Sequence, residues 1–338
     1  MADEKSDPAA TVASALRQAF GNEALDVHGA RPLAGGAMHE WWSAATSAPD
    51  APDVVVRLAP AARDDAAKAR LEFEILSRMR ERGVRVARPI YVGENANDQT
   101  FMVSERVEGD TNPRQLLTTD EYADARRQLI EDLAADLAIV HTVMPAEVAA
   151  PLRSPEPGED ALVTEVGRQL AEYDRVKINP HPLVEWSLRW IARRVAQLPP
   201  RTTPPHVVHG DLRIGNILYN REGLAAILDW EGVHAGEAEE DLSWFCTKVW
   251  RFNRRDLPAG GITNRETWVT AYERAAGRPV DRERLRLWEI LQNVRWSVIC
   301  MMQAKQHLDG WMDSHEHAAI GRRAADTELE VLRLAGVA

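Results

Sequence analysis

The stretch His206-Val207-Val208-His209-Gly210-Asp211-Leu212-Arg213-Ile214-Gly215-Asn216-Ile217-Leu218, with Ile227-Leu228-Asp229-Trp230-Glu231 after it, decides how the chain is read. It sets an Asp, an Asn and a second Asp at spacings of five and thirteen residues. Short apolar runs flank them: Val207-Val208, Ile217-Leu218-Tyr219 and Ala225-Ala226-Ile227-Leu228. These read as buried strands, with Gly210 and Gly215 allowing sharp turns. Asn220-Arg221-Glu222-Gly223 reads as a tight turn joining two of the runs. A hairpin then brings Asp211, Asn216 and Asp229 to one end of a small sheet. Two acids and an amide there suit a hard divalent cation beside a general base.

Outward from this centre, residues 26–58 read as three antiparallel strands with a Gly-rich turn between the first two, ending in Asp53-Val54-Val55-Val56-Arg57-Leu58. Thr11 to Phe20 has the spacing of a short amphipathic helix. Ala67, Leu71, Ile75, Leu76 and Met79 place a helix over 64–82, stopped by Gly83. Phe101 to Ser104 is a further strand, and Val84 to Val92 gives two short extended pieces around Pro89. Beyond 112 the pattern is helical: over 119–143 (Leu129, Leu133, Leu137, Val140), 159–176, 182–197, Asp241 to Arg251, Arg265 to Ala276, Asp281 to Leu308 and His317 to Leu334. The expectation is an α+β chain of two lobes, 1–107 and 108–338.

Composition narrows the class. The 338 residues, 45% hydrophobic and 28% charged, describe a globular protein. A net charge of -11 argues against nucleic acid or an anionic membrane as main partner. The polar start and the lack of any apolar run of spanning length lead to the expectation of a cytoplasmic protein. Cys246 and Cys300 sit in apolar stretches and read as reduced core residues. His315-Glu316-His317 lacks metal spacing and reads as surface.

Phosphoryl transfer needs a phosphate cover, a cation, Mg2+ and a base for the acceptor hydroxyl. Protein kinases supply the last two with an Asp, an Asn five residues on and a later metal-binding Asp. The same spacing here makes Asp211 the candidate base and Asn216 and Asp229 the candidate Mg2+ ligands, with Glu231 as a possible helper. No GxxxxGK[ST] occurs, which excludes a P-loop enzyme.

With Leu228-Asp229-Trp230-Glu231, the His209 to Leu218 stretch resembles the aminoglycoside phosphotransferase and choline kinase superfamily. The closer resemblance is to the branch similar to the kinase-like domain fused to acyl-CoA dehydrogenases, on Asp241-Leu242-Ser243-Trp244, Arg295-Trp296 to Gln303 and Ile320-Gly321-Arg322-Arg323. The resemblance implies a two-lobed, protein-kinase-like fold, ATP as phosphoryl donor with Mg2+, and a small-molecule hydroxyl acceptor. It places Gly35 and Gly36 in the phosphate-covering turn, where Met38 replaces the usual Ser. Arg57 stands where kinases carry a phosphate-binding Lys, and Arg grips phosphate oxygens bidentately. Glu72 is its expected partner, with Glu74 as rival. Ser104, Glu105 and Val107 fall at the adenine-binding hinge. His141, Trp244, Trp250, Trp288 and Trp296 read as core.

The acceptor is the open point. Arg251, Arg254, Arg255 and Arg265 read either as solvated surface or as attraction for an anionic acceptor, such as a hydroxy acid or its CoA ester. A small, non-aminoglycoside alcohol or hydroxyacyl acceptor is the reading adopted. Antibiotic O-phosphotransferase, nucleotide-binding pseudokinase and metal-dependent phosphohydrolase are the alternatives. Oligomeric state has no signal in the sequence.

Overall fold

Val54, Val56 and Leu58 are buried together with Phe101 and Val103, and this period-two burial builds the first layer. The computed structural model describes residues 7–33, 39–60, 66–199, 201–312 and 314–337. Strands β1 (Val27–Pro32), β2 (Glu40–Thr46), β3 (Asp53–Leu58), β4 (Pro89–Glu94) and β5 (Thr100–Glu105) form an antiparallel sheet in the order β1-β2-β3-β5-β4. The expected meander over 26–58 is present. The two extended pieces around Pro89 are one strand, β4, with a register shift between Pro89 and Tyr91 where proline lacks a donor.

Helix α1 (Pro8–Phe20) starts at Asp7, whose side chain accepts from the Ala9 N–H. It lays Val12, Ala15 and Leu16 on the Val54–Val56 face of the sheet. Helix α2 (Ala66–Glu81) buries Ala69, Glu72, Ile75, Leu76 and Met79. Gly83, at φ 84°, ends the helical run. Since Val56 and Leu58 face α1, the strand alternation turns Arg57 to the other side, toward α2.

The linker between the lobes is anchored on the motif hairpin. Asp110 exchanges backbone hydrogen bonds with Tyr219, at 2.8 and 3.0 Å. A Cβ at Gly109 would lie 2.8 Å from the Tyr219 carbonyl oxygen, so the close approach needs glycine.

The second lobe is helical: α3 (Pro113–Thr118), α4 (Ala123–Val140), α5 (Ala161–Val176), α6 (Pro182–Val195), α7 (Ala238–Trp244), α8 (Arg265–Ala276), α9 (Arg282–Leu308), α10 (His315–Ile320) and α11 (Glu328–Ala335). Leu129, Leu133, Leu137 and Val140 of α4 are all buried, as their spacing predicts. The 27-residue α9, capped by Asp281, packs against α5, α6, α7, α10 and α11 and is buried over most of its length. The single helix expected over 317–334 is instead α10, a tight turn at Gly321–Arg323, and α11. Side chains break it. Ser297 donates to the Ala324 carbonyl at 2.6 Å and Thr327 donates to the Asn293 carbonyl at 2.8 Å, pinning the segment to α9.

Cys246 and Cys300 are buried and unpaired with each other. No described helix is long and apolar enough to cross a membrane.

His206 is buried, and its Nε2 meets no hydrogen-bond partner among the described residues. Burial, then the neighbouring His141 and Arg278, hold its imidazole down at about 2. The unfolded chain protonates it near 6.5 and the folded chain does not. Stability is therefore full above about pH 6.5 and falls by up to ~1.4 kcal/mol per pH unit below it. Urea unfolding of the His206→Phe variant between pH 7 and 4 is expected to show a shallower loss than wild type.

Candidate active site

Strand β6 (His206–Val208) does not join the motif hairpin; it pairs with β9 (His234–Gly236). The hairpin is β7 (Ile217–Tyr219) with β8 (Leu224–Ile227), as expected. Its turn is held by Asn220 Oδ1, which accepts from the Glu222 and Gly223 N–H groups at 2.9 and 3.2 Å. The loop 209–216 spans the two small sheets and carries the motif.

Gly210 has φ 78°, and a Cβ there would lie 2.2 Å from the Gly232 carbonyl oxygen. Only glycine lets the loop press on the segment after Asp229. His209 Nε2 is 3.0 Å from the Leu228 carbonyl and its Nδ1 is 3.2 Å from the Asp211 N–H. The carbonyl needs a donor and the amide an acceptor, so the neutral Nε2–H tautomer fits both.

Asp241, fully buried, fastens this loop from α7. Its Oδ2 accepts from the His209 N–H at 2.8 Å and its Oδ1 from the Gly210 N–H at 2.9 Å. His141 Nε2 also reaches Oδ2, at 3.1 Å, while its Nδ1 meets the Tyr272 hydroxyl at 2.8 Å. Burial pushes the Asp241 carboxyl up, but His141 and the His209 contacts outweigh it and hold it at about 2. His141 is thus structural, as read, and its structural work is on the motif loop.

Asp211 receives three donors. Trp244 Nε1–H lies 2.6 Å from Oδ1, Asn216 Nδ2 2.8 Å from Oδ2, and Arg213 Nε 3.3 Å from Oδ2. The reading of Trp244 as core alone is corrected: it is 2% exposed, yet its one polar atom serves Asp211. An indole within an apolar pattern carries no signal for this in sequence.

Asn216 turns its Nδ2 to Asp211, so its Oδ1 points away from that bond, and its backbone carbonyl accepts from the Leu228 N–H at 2.8 Å. Next to Leu228, Asp229 adopts φ 64°, ψ 70°. This left-handed conformation, tolerated by Asp, ends β8 one residue before the sequence run does. Burial, then the charges of Asp211 and Glu231, raise the Asp229 carboxyl. Among the described residues no side chain or backbone group donates to it. A free carboxylate and an amide oxygen are hard donors that fit Mg2+, which takes its remaining ligands from phosphates and water. Among the described residues no group of three or more His, Cys, Asp or Glu is arranged to hold a metal.

Arg57 Nη1 lies 2.5 Å from Glu72 Oε2 and 3.2 Å from Glu231 Oε1. The rival Glu74 instead accepts from the Ala149 and Ala150 N–H groups. Glu72 is buried, which drives its carboxyl up to about 7 against the pull of Arg57. Glu231 also meets His39 Nδ1 at 3.3 Å. Ser104 and Glu105 end β5. The Glu105 N–H donates to the Arg88 carbonyl at 2.9 Å, and its carboxylate meets Arg88 and Arg80. Its backbone donor is therefore engaged, whereas the Val107 backbone makes no hydrogen bond among the described residues. Gly35 and Gly36 lie outside the described residues, as does Met38.

Two of the four arginines of the cluster at 251–265 are tied up inside the lobe, while Arg255 is exposed. Arg251 is buried against Glu289 and Glu330, and Arg265 grips Glu289 with two bonds of 2.6 Å. Glu289, on α9, lies far enough along the chain to be missed in a local charge count.

A small antiparallel lobe beside a helical lobe, with an Asp-Asn-Asp set on a loop and hairpin between small sheets, is the arrangement of a kinase-like phosphotransferase. The chain belongs to the Phosphotransferase enzyme family, whose pattern matches residues 29–325. It is accordingly a phosphotransferase acting on a hydroxyl acceptor. Solved structures share the fold at low identity. An aminoglycoside-phosphotransferase-like protein of Ralstonia eutropha JMP134 is 18% identical, with 97% of this chain and 98% of that one covered and a TM-score of 0.72. Aminoglycoside 2'-phosphotransferase-IIIa, in its GDP complex, is 15% identical over 95% and 98% of the two chains, TM-score 0.66. The macrolide 2'-phosphotransferase MphH of Brachybacterium faecium is 19% identical over 93% and 97%, TM-score 0.62.

Proposed function

We propose that the protein transfers the γ-phosphoryl group of ATP to the hydroxyl of a small, non-protein acceptor. The observation that carries this is the Asp211 carboxylate, held by three donors beside Asn216 and Asp229. Asp211 accepts the hydroxyl proton as the acceptor oxygen forms its bond to Pγ and the Pγ–O bond to the departing ADP breaks. Trp244, Asn216 and Arg213 aim the carboxylate through their hydrogen bonds. Asn216 and Asp229 would hold Mg2+, which when bound neutralises charge on the phosphates. Arg57, steadied by Glu72, supplies a fixed cation for phosphate oxygens. The resemblance assigns Gly35 and Gly36 to the phosphate cover and Ser104 with the 105–107 segment to the adenine, with Val107 offering its backbone groups.

GDP and AMP-PNP complexes of the relatives support a purine nucleotide as donor. The relatives' aminoglycoside and macrolide acceptors favour an antibiotic as second reading of the same reaction. The likeness to the acyl-CoA dehydrogenase-fused branch is part of the present reading and rests on Asp241-Leu242-Ser243-Trp244. The test is Mg2+-dependent ATP turnover across a library of alcohols. Wild type is expected to turn over ATP and Asp229→Ala to lose it by at least about 100-fold. Equal turnover by both, or cleavage of phosphoesters without ATP, removes the proposal.

Trp244→Phe takes one N–H donor from Asp211. Losing one charge-assisted hydrogen bond to the base is expected to lower kcat by at least about ten-fold, with the KM for ATP little changed. Unchanged kcat with lower stability assigns Trp244 a packing role only.

A further inference from the structure

Trp244, Trp250 and Trp296 form an edge-to-face chain, with ring centroids 5.5 and 5.2 Å apart. Each indole carries a guanidinium on its face: Arg295 over Trp244 at 4.5 Å, Arg213 over Trp250 at 5.1 Å and Arg323 over Trp296 at 5.2 Å. The array begins at the candidate base, because Trp244 donates to Asp211 and so does Arg213.

Arg213 and Arg295 differ from the other arginines of this lobe core. Arg265 and Arg284 are each held by two bonds to one carboxylate, on Glu289 and Glu237. Arg295 has no such grip. The carboxylates near it are Glu240, 4.0 Å away, and Glu165, which Arg153 and Arg168 already hold; its one hydrogen bond among the described residues is 3.4 Å long, to Gln292. Arg213 touches a carboxylate through Nε only, leaving both terminal nitrogens without a carboxylate among the described residues. Gly215 makes room for one of them: a Cβ there would sit 2.2 Å from Arg213 Nη1. Both side chains stay open to solvent, Arg213 by 29% and Arg295 by 16%. Stacking on an indole fixes a guanidinium and lowers its hydration without using its N–H donors.

Two immobilised cations with unused donors beside the base suit an anion. We propose that the acceptor carries a carboxylate or phosphate group near its reacting hydroxyl, bound by Arg213 and Arg295; this rests on the phosphotransfer reading above. A polycationic acceptor would meet like charge at the same place. Glu240, buried against His234 and 4.0 Å from Arg295, takes up part of that charge but stays outside hydrogen-bond reach of the Arg295 donors.

The test uses the full chain with Mg·ATP and matched acceptors. One arm sets 3-hydroxybutyrate, malate and glycerate against their amides; a second sets glycerol 3-phosphate against glycerol; kanamycin is the cationic arm. At least one anionic member is expected to exceed its neutral partner at least ten-fold in kcat/KM. That ratio is expected to fall toward one in Arg295→Gln and in Arg213→Gln. The arm that responds tells carboxylate from phosphate. A ratio that survives both substitutions overturns the inference, as does turnover of kanamycin or of neutral partners alone. ATP hydrolysis that no anionic member accelerates also overturns it and leaves the phosphotransfer reading standing. If Mg·ATP hydrolysis itself is missing from wild type, both fall together.

Discussion

Asp211→Asn is expected to lower kcat for phosphoryl transfer by about 10³-fold, within the range general-base removal produces. The substitution keeps side-chain size, so the loop between β6 and β7 stays in place. What changes is proton and hydrogen-bond chemistry. An amide does not accept the acceptor's proton. It also does not accept on both sides: Trp244 Nε1–H and Asn216 Nδ2–H now point at Oδ1 and Oδ2, and an Asn must turn its own NH2 toward one of them. That mismatch adds about 1–3 kcal/mol of local destabilisation. Nucleotide binding depends on other residues, so the KM for ATP is expected to change little. Steady-state kinetics with a nucleotide-binding titration separates the two. Retained kcat refutes the role given to Asp211.

Asp241→Ala is expected to destabilise the protein by about 3–5 kcal/mol and to lower turnover as well. It removes a buried charge that three groups share: the His209 and Gly210 N–H groups and His141. Two backbone donors in the motif loop would then lack partners in a dry interior. The pH dependence carries a defined sign. Folding lowers the Asp241 carboxyl from 3.8 to about 2. A depressed acid contributes stability that is present above about pH 4 and lost as pH falls toward 2. Urea unfolding at pH 7 and at pH 3 is expected to show the wild-type advantage over Asp241→Ala shrinking at the lower pH. Amide exchange at 209–211 should speed up in the variant at neutral pH. Unchanged exchange there assigns Asp241 to the helix core alone.

Much of this site is legible locally. The resemblance to kinases points to Arg57, and helical period selects Glu72 as its partner. Positions 69, 72, 76 and 79 share one face of α2, and Glu72 rather than Glu74 lies on it. The β7–β8 hairpin follows from its turn chemistry. The partners of Asp211 are less legible. Trp244 reads as one more apolar residue, and its single N–H acquires a role only when α7 packs beneath the loop. Charge counting misled in the same way. Arg251 and Arg265 look like a free basic cluster until Glu289 reaches them from α9, while Arg213 and Arg295, far apart in the chain, lie on neighbouring indoles.

The sequence by itself determined the two-lobed α+β class, carried the motif resemblance to the family and singled out Asp211, Asn216 and Asp229 as candidates, because spacing, periodicity and turn residues act between near neighbours. The tertiary structure decided which donors hold Asp211, which acid ties down the loop and which arginines keep open donors. Arg213 and Asn216 are near neighbours of Asp211, but the indole that completes its donors and the acid on the loop come from 30 or more residues away, as Trp244 to Asp211 and Asp241 to Gly210 show. Burial sets their strength, and burial is a property of the packed chain.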